Sequence, residues 1–280
     1  MFSYQHVYHA GSLADIHKHA FLAVLVESLT QKDRPVSYLE THSGRGMYDV
    51  SSPESLKTGE AKNGILRLVA EQGMSKDHPY WRAVNTHQDK FGGASYPGSP
   101  WIARSLLRDQ DQLYLMECHP QEILHLKKNM NEPNVHIHER DGYEGVLALS
   151  PPQARRGLIF IDPTYEDKNE YERVVAFTKT LHDKWKEAVI CVWYPILRAG
   201  HQEKLTKALS RTDIEVSVWE MLFPQSLVGY GLLGSGLYIV NMPYGIKDAL
   251  QKTDAHLIAW LKQTASLALS EQKETEDYFF

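Results

Sequence analysis

Four short clusters in this sequence carry side chains capable of chemistry, and each follows a run of strand-forming residues. Asp162-Pro163-Thr164-Tyr165 comes directly after the apolar run Gly157-Leu158-Ile159-Phe160-Ile161. Asp162 and the Pro163 carbonyl are hydrogen-bond acceptors, and Tyr165 offers an aromatic face on which a planar base can stack. Glu117 closes the run that begins at Gln112, and a carboxylate there can accept both hydroxyls of a bound ribose, as the acid of dinucleotide folds does. Glu40-Thr41-His42-Ser43-Gly44-Arg45-Gly46 sets an acid before two glycines, a composition that lets backbone pass close to a nucleoside. Asp141-Gly142 follows Val135 to His138, a place from which a carboxylate can meet the edge of an adenine. Each alone is compatible with an ordinary turn after a strand. Together they point to a nucleoside-bearing ligand beyond the carboxyl ends of a sheet, where ligands of open α/β folds bind.

Two further groupings are set aside. Asn241-Met242-Pro243-Tyr244 is similar in composition to the Asp162 cluster, but Met242 interrupts the Asn-Pro step and the segment follows the last strand, off the central crevice. The N-terminal histidines His6, His9, His17 and His19 do not form a metal-ligand pattern, because two-residue spacing on a helix turns His17 and His19 roughly 200° apart. No metal is expected. Arg155-Arg156 precede a strand, at the edge opposite the expected site, and read as solvated surface; Lys18, Arg45 and Arg104 are better placed for phosphates.

The elements that must position these residues follow from periodicity. Ser12 to Asp15 reads as a capping box before a helix from Leu13 to Thr30, with apolar residues at Ile16, Ala20, Phe21, Val24, Leu25 and Leu29. Strands are expected at Val36 to Glu40, Gln112 to Glu117, Val135 to His138, Gly157 to Ile161 and Ala188 to Trp193. Helices are expected at Pro100 to Arg108, Glu122 to Asn129, Gly142 to Leu149, Tyr171 to Trp185 and Gln202 to Ser210. The alternation specifies a doubly wound, mostly parallel sheet, and the wholly apolar Gly157 run suits its centre. The last strands, Ile214 to Glu220 and Leu237 to Asn241, have no helix between them and are joined by a loop containing Gly229, Gly231, Gly234 and Gly236. That is a closing antiparallel hairpin, so the expected fold is a class I, Rossmann-like methyltransferase sheet of seven strands. Residues 49–92 are polar, with one apolar helix near Gly64 to Glu71, and read as a small helical insertion into a domain made of 1–48 and 93–280. The tail from Glu271 is polar and acidic and is expected to fray.

Composition bounds the function. A chain of 280 residues, 42% hydrophobic and 23% charged, can bury a full core around one α/β domain. A formal charge of −5 excludes a broadly basic nucleic-acid coat, so any nucleic-acid contact must be a local patch. Cys118 and Cys191 are the only cysteines and lie in apolar runs, which speaks for a reducing cytoplasm rather than a disulfide framework. No secretory signal is visible at the N-terminus, and no run approaches the roughly 18 apolar residues of a spanning helix, so a soluble cytoplasmic protein with no membrane partner is expected.

Asp162-Pro163-Thr164-Tyr165 resembles the [D/N/S]-P-P-[Y/F] motif of amino-methyltransferases acting on adenine N6 or cytosine N4. An aromatic exocyclic amine is a poor nucleophile because its lone pair is delocalised into the ring. Two acceptors that each take one amine hydrogen hold the lone pair toward an electrophilic methyl group, so positioning suffices and no formal base is needed before attack. Thr164 replaces the second proline, which loosens the turn without removing either acceptor. More widely, the chain is similar to the RlmJ family of large-subunit ribosomal RNA adenine-N6 methyltransferases. The resemblance rests on Ser3-Tyr4-x-His6, His9-Ala10-Gly11, Ala14-Asp15 with Lys18-His19, Thr41-His42-x-Gly44-x-Gly46, Tyr96-Pro97-Gly98-Ser99-Pro100, Glu117-x-His119-Pro120, Asp141-Gly142, Arg156-Gly157-Leu158, Asp162-Pro163-x-Tyr165 and Trp193-Tyr194-Pro195. It implies S-adenosyl-L-methionine as cofactor, in a pocket lined by His19, His42, Ser99, Glu117, Asp141, Gly142 and Asp162. It implies catalysis by Asp162, with Pro163 and Tyr165 beside it, and RNA held by Tyr4, His6 and Lys18. The substrate implied is 23S ribosomal RNA, protein-free or early in assembly, and the enzyme is expected to be a monomer. The competing readings are a DNA adenine-N6 or cytosine-N4 methyltransferase, disfavoured because no sequence-reading target domain is evident, and a non-catalytic nucleic-acid-binding protein involved in use of external DNA. Retention of both Glu117 and Asp162 speaks against the last.

Overall fold

The apolar run Gly157–Ile161 is buried at every residue and lies inside a seven-stranded sheet, flanked by strands on both sides. The computed structural model describes residues 4–277, with side chains described through residue 266. After a 3-10 turn at His6–Tyr8 come α1 (Leu13–Thr30), β1 (Ser37–Glu40) and β2 (Met47–Asp49), then α2 (Pro53–Thr58), α3 (Glu60–Asn63), α4 (Ile65–Ala70), α5 (Pro79–Phe91) and β3 (Ser95–Pro97). The chain continues through α6 (Ser99–Leu106), β4 (Gln112–Glu117), α7 (Pro120–Asn129), β5 (Val135–Glu139), α8 (Gly142–Leu149), β6 (Gly157–Ile161) and α9 (Glu170–Lys184). It ends with β7 (Val189–Leu197), α10 (Glu203–Leu209), β8 (Val216–Leu222), β9 (Leu232–Val240) and α11 (Lys247–Asp277).

The sheet order is β5-β4-β1-β6-β7-β9-β8. The strands from β5 to β7 are parallel, while β9 runs antiparallel to both β7 and β8. This is the Rossmann-like arrangement with a closing antiparallel hairpin that the strand pattern implied. Because the order reverses about β1, the carboxyl ends of β1, β4 and β6 open into one crevice. One expectation about the hairpin needs correction. Gly234 and Gly236 belong to β9 and not to the loop before it. A Cβ on Gly236 would lie 2.3 Å from the Tyr194 ring, so its glycine reflects close packing of β9 on β7 rather than a turn.

The region after β1 is richer than the single helix expected from its sequence. It holds α2, α3, α4 and α5, and its entry and exit are zipped together by antiparallel pairing of β2 with β3. Of the missed helices, α2 and α3 are short and α5 is longer; Ser52 caps α2 by accepting from Ser55 N, and His78 caps α5 by accepting from Tyr80 N just before Pro79. Tyr80, Trp81 and Val84 of α5 join Leu257 and Trp260 of α11 and Ile16 and Ala20 of α1 in one apolar cluster. Helix α1 is therefore enclosed from two sides, by this cluster and by the sheet, and even its Asp15, His17, Lys18 and His19 are buried. The polar tail expected to fray from Glu271 carries the end of α11 as far as Asp277. Among the described residues no helix is long and apolar enough to cross a membrane.

Candidate active site

The strand-end acids fall where the crevice opens. Glu117, 8% exposed at the end of β4, accepts from the Gly44 amide at 2.8 Å and from the His119 amide at 2.7 Å. Each carboxylate oxygen keeps lone-pair capacity beyond its single amide, so the group is aimed and still able to accept ribose hydroxyls. Burial raises its pKa above the usual carboxylate range, and the two amides pull against that. Asp141 caps α8, accepting from Glu144 N at 3.0 Å, and Arg173 approaches it at 3.4 Å. The glycine that follows is required by proximity: a Cβ on Gly142 would stand 1.9 Å from the Thr41 carbonyl oxygen. That contact brings the N-terminus of α8 against the end of β1, where His42 donates to or accepts from Thr41 Oγ1 at 2.8 Å and meets the Tyr143 ring edge-on.

Two histidines expected at the cofactor are held well below their usual range: burial lowers His42 to about 4 and His19 to about 3. His19 bonds Tyr96 Oη at 2.7 Å, and Tyr96 in turn bonds Tyr80, which ties the pocket wall to α5. His17 points elsewhere, bonding Ser235 of β9 at 2.9 Å and packing on Phe21, so the two-residue spacing separates these rings as helix geometry requires.

Residues expected at the RNA form an unbroken array instead of a set of independent contacts. Tyr4 Oη meets His6 Nδ1 at 2.8 Å, His6 Nε2 meets Asp15 Oδ2 at 3.0 Å, and Asp15 Oδ1 accepts from Lys18 Nζ at 2.9 Å. Lys18 Nζ also donates to Asp162 Oδ2 at 2.6 Å. The array thus runs from the N-terminal segment to the end of β6. Lys18 is 4% exposed in its side chain, and its ammonium faces two carboxylates and the Trp193 ring rather than open solvent. Burial opposes charge on both Asp15 and Lys18. The neighbouring His6 and Lys18 charges outweigh this for Asp15, whose pKa falls well below the usual range, and the two carboxylates outweigh it for Lys18, whose pKa rises. Among the described residues Asp162 Oδ1 has no hydrogen-bond partner, and the side chain is 14% exposed.

Tyr165 adopts φ of 55°, a left-handed conformation that costs a non-glycine residue of order 1–3 kcal/mol. It is held by donation from its hydroxyl to the Trp193 carbonyl at 2.6 Å and by its ring against Tyr171. Its neighbours leave the ring 8% exposed. Arg45 and Arg104 turn to the carboxylates of Glu122 and Glu132. Arg155 is solvated as expected, whereas Arg156 is half-buried and donates to the Leu29 carbonyl at the end of α1. Asn241, in the look-alike segment, bonds the Lys186 and Ala188 carbonyls at the amino end of β7, the opposite edge of the sheet from Asp162.

Two residues given no catalytic, cofactor or RNA role by the sequence, Asp15 and Glu40, hold the expected ones in place. Ser12 caps α1, but Asp15 does not complete a capping box; its side chain accepts from Gly11 N and serves the array. Its i,i+3 spacing from Lys18 is the signal of this that the sequence carries. Glu40 is fully buried at the end of β1 with Tyr38 Oη donating to it at 2.9 Å and Ser99 Oγ on its other oxygen. Burial raises its pKa to about 8 against the pull of those two hydroxyls. Ser99, expected at the cofactor, is thereby anchored from below.

The family described as Ribosomal RNA large subunit methyltransferase D, RlmJ, matches residues 33–273. The chain is 33% identical to Ribosomal RNA large subunit methyltransferase J of Escherichia coli over 265 residues, covering 93% of each. It is 35% identical to the protein of the same name from Haemophilus influenzae over 258 residues, 90% of this chain and 91% of that one. A crystal structure of a Legionella pneumophila protein superposes with a TM-score of 0.78 at 35% identity, covering 90% of this chain and 94% of that one.

Proposed function

The chain belongs to the RlmJ family of ribosomal RNA large subunit methyltransferases, and from that premise we propose that it methylates the N6 amine of an adenine in 23S ribosomal RNA, using S-adenosylmethionine. The observation that carries the adenine reading is the state of Asp162. One of its oxygens is fixed by Lys18, and the other has no hydrogen-bond partner among the described residues, with the side chain 14% exposed.

The residues present fit the cofactor. Glu117 is oriented by two amides with acceptor capacity to spare for a ribose, the contact of Gly142 with Thr41 narrows the crevice, and neutral His19 and His42 offer hydrogen bonds without charge. Ser99, Asp141 and Gly142 complete that pocket. When bound, the cofactor supplies an electrophilic methyl group on a sulfonium. Asp162 Oδ1 and the Pro163 carbonyl each accept one amine hydrogen, which turns the amine lone pair toward that methyl group. The amine becomes acidic once methylated, and Asp162 is the group positioned to take its proton. Tyr165 backs the base-binding loop. Lys18, a phosphate contact by its sequence setting, is here a positioning residue for Asp162, and Tyr4 and His6 connect the RNA-facing N-terminus to it. Residues 49–92 act as a helical subdomain inserted into 1–48 and 93–280. The protein works as a cytoplasmic monomer on RNA free of ribosomal proteins or early in assembly.

The test is methyl transfer from labelled cofactor to protein-free 23S ribosomal RNA and, in parallel, to genomic DNA lacking adenine methylation, with nucleoside digestion. Label in N6-methyladenosine from the RNA is the expected result. Preferential labelling of DNA, or label in a cytidine, overturns the reading.

A further inference from the structure

Strand β7 is longer than its parallel neighbour. Only Val189–Val192 pair with β6, which ends at Ile161, so Asp162 lies level with Trp193. The remainder of β7, through Leu197, pairs with β9 alone. At about 3.3 Å per residue this ribbon carries Arg198 about 16 Å beyond the level of Asp162, on the same side of the sheet as the crevice.

The tip is built and anchored. Arg198 N donates to the Gly231 carbonyl at 2.8 Å, Phe223 N donates to the Leu233 carbonyl at 2.8 Å, and Asn63 of the inserted region donates to the Leu227 carbonyl at 3.2 Å. Phe223 and Leu227 are buried beneath the loop, yet Tyr230 is 93% exposed between two glycines. The Arg198 guanidinium lies 5.1 Å from the centre of the Tyr230 ring and donates to Gln225 Oε1 at 3.0 Å. Among the described residues no carboxylate lies within ion-pair distance of Arg198, in contrast to Lys18, Arg45, Arg104 and Arg108. Lys204 of α10 reaches the Lys168 carbonyl at 3.4 Å, in the loop that follows Tyr165, and Lys168 is itself exposed.

We propose that the Arg198–Tyr230 pair is a second RNA contact, stacking an unpaired base that flanks the target adenine while Arg198 meets the adjoining phosphate. The inference rests on the RNA reading above. A protein of net charge −5 must concentrate its phosphate contacts, and an uncompensated arginine covering one face of an otherwise open tyrosine is such a concentration. Stacking on an aromatic face is tolerant of sequence and suits single-stranded segments. The distance from Asp162 excludes the pair from holding the reacting base and puts it in range of neighbouring nucleotides.

The experiment compares the full-length protein with Tyr230→Ala, Tyr230→Phe and Arg198→Ala, using a 23S ribosomal RNA fragment that extends single-stranded past the target. RNA affinity is read by fluorescence anisotropy across a salt series, alongside steady-state methyl transfer. Tyr230→Ala should raise Kd and KM about five- to a hundredfold, leave kcat at saturating RNA unchanged and keep the wild-type salt slope. Tyr230→Phe should restore binding, since the ring remains. Arg198→Ala should flatten the plot of log affinity against log salt by about one unit. Unchanged Kd and KM in both alanine variants, or a loss confined to kcat, overturns the proposal. Failure of the parent reading shows differently, in a wild type that labels no RNA, and the anisotropy series then decides the binding claim alone.

Discussion

The two sides of the crevice are held by different means. On the side proposed for the cofactor, Glu117 and Asp141 are fixed by backbone amides within a few residues of themselves or in the adjoining loop. On the side proposed for the substrate, Asp162 is fixed by Lys18, which is fixed by Asp15, which is bonded to His6 and through it to Tyr4, so that one array spans the chain from its N-terminal segment to β6. Amide-held groups should fail one at a time. An array of side chains sharing protons and charge should fail as a unit, because removing one member leaves another buried without its partner.

The largest effect should come from Asp162→Ala. Turnover should fall about a thousandfold or more, since the acceptor that orients the amine is gone, while stability falls less than on loss of Lys18, because Lys18 keeps Asp15 as a partner. Single-turnover methyl transfer measures this, and a variant retaining a tenth of wild-type rate would show that Asp162 does not position the amine. Next is Lys18→Met, which takes the ammonium from buried Asp15, leaving it only His6 and the Gly11 amide, and should cost about 3–5 kcal/mol of stability together with most of the activity. Adding Asp15→Asn should recover part of that stability. A double-mutant cycle in denaturant that gives simple additivity would break the claim that the array acts as a unit.

Glu117→Ala tests the opposite side. Charge-assisted hydrogen bonds contribute about 1.5–3 kcal/mol each, so calorimetry should show cofactor affinity reduced about tenfold to a few hundredfold, with no change in RNA affinity. Loss of RNA binding in this variant would erase the distinction between the two sides. The smallest effect concerns Glu40. Its folded pKa of about 8 lies above the 4.5 of a free glutamate, so the fold favours its protonated form. The stability this group contributes is fully present below pH 4.5 and drains away as pH rises to about 8. Thermal unfolding across that window should show Glu40→Gln, which cannot ionise, gaining on the wild type as pH increases. Parallel curves would mean that Glu40 is ionised in the fold.

Much of the fold and part of the site are legible in the amino-acid order alone. Strand and helix periods place β4, β6, α1 and α8 at their observed bounds, because β6 is wholly apolar, α1 and α8 are cleanly capped, and β4 is a run of strand formers closed at each end by a polar residue. The residues that follow the strands then single out Glu117, Asp141 and Asp162, since a parallel sheet forces those positions to one edge. The short helices between β2 and β3 are not legible, because α2 and α3 span 6 and 4 residues, too few to display a helical period.

What the sequence determined by itself was the order of elements, the closing hairpin and the presence of acids at the crevice, all set by local hydrophobic period and chain direction. What only the tertiary structure decided was the role of each charge. Lys18 looks like a surface cation in sequence, and it is buried because its side chain turns onto the ends of β6 and β7, against Asp162 and the Trp193 ring. Its partner Asp162 stands 144 residues away, so nothing in the local sequence of either residue could announce the pair. Helical period determines which face a residue occupies, but the environment of that face is fixed by elements elsewhere in the chain, and with it whether a lysine meets solvent, phosphate or a catalytic carboxylate.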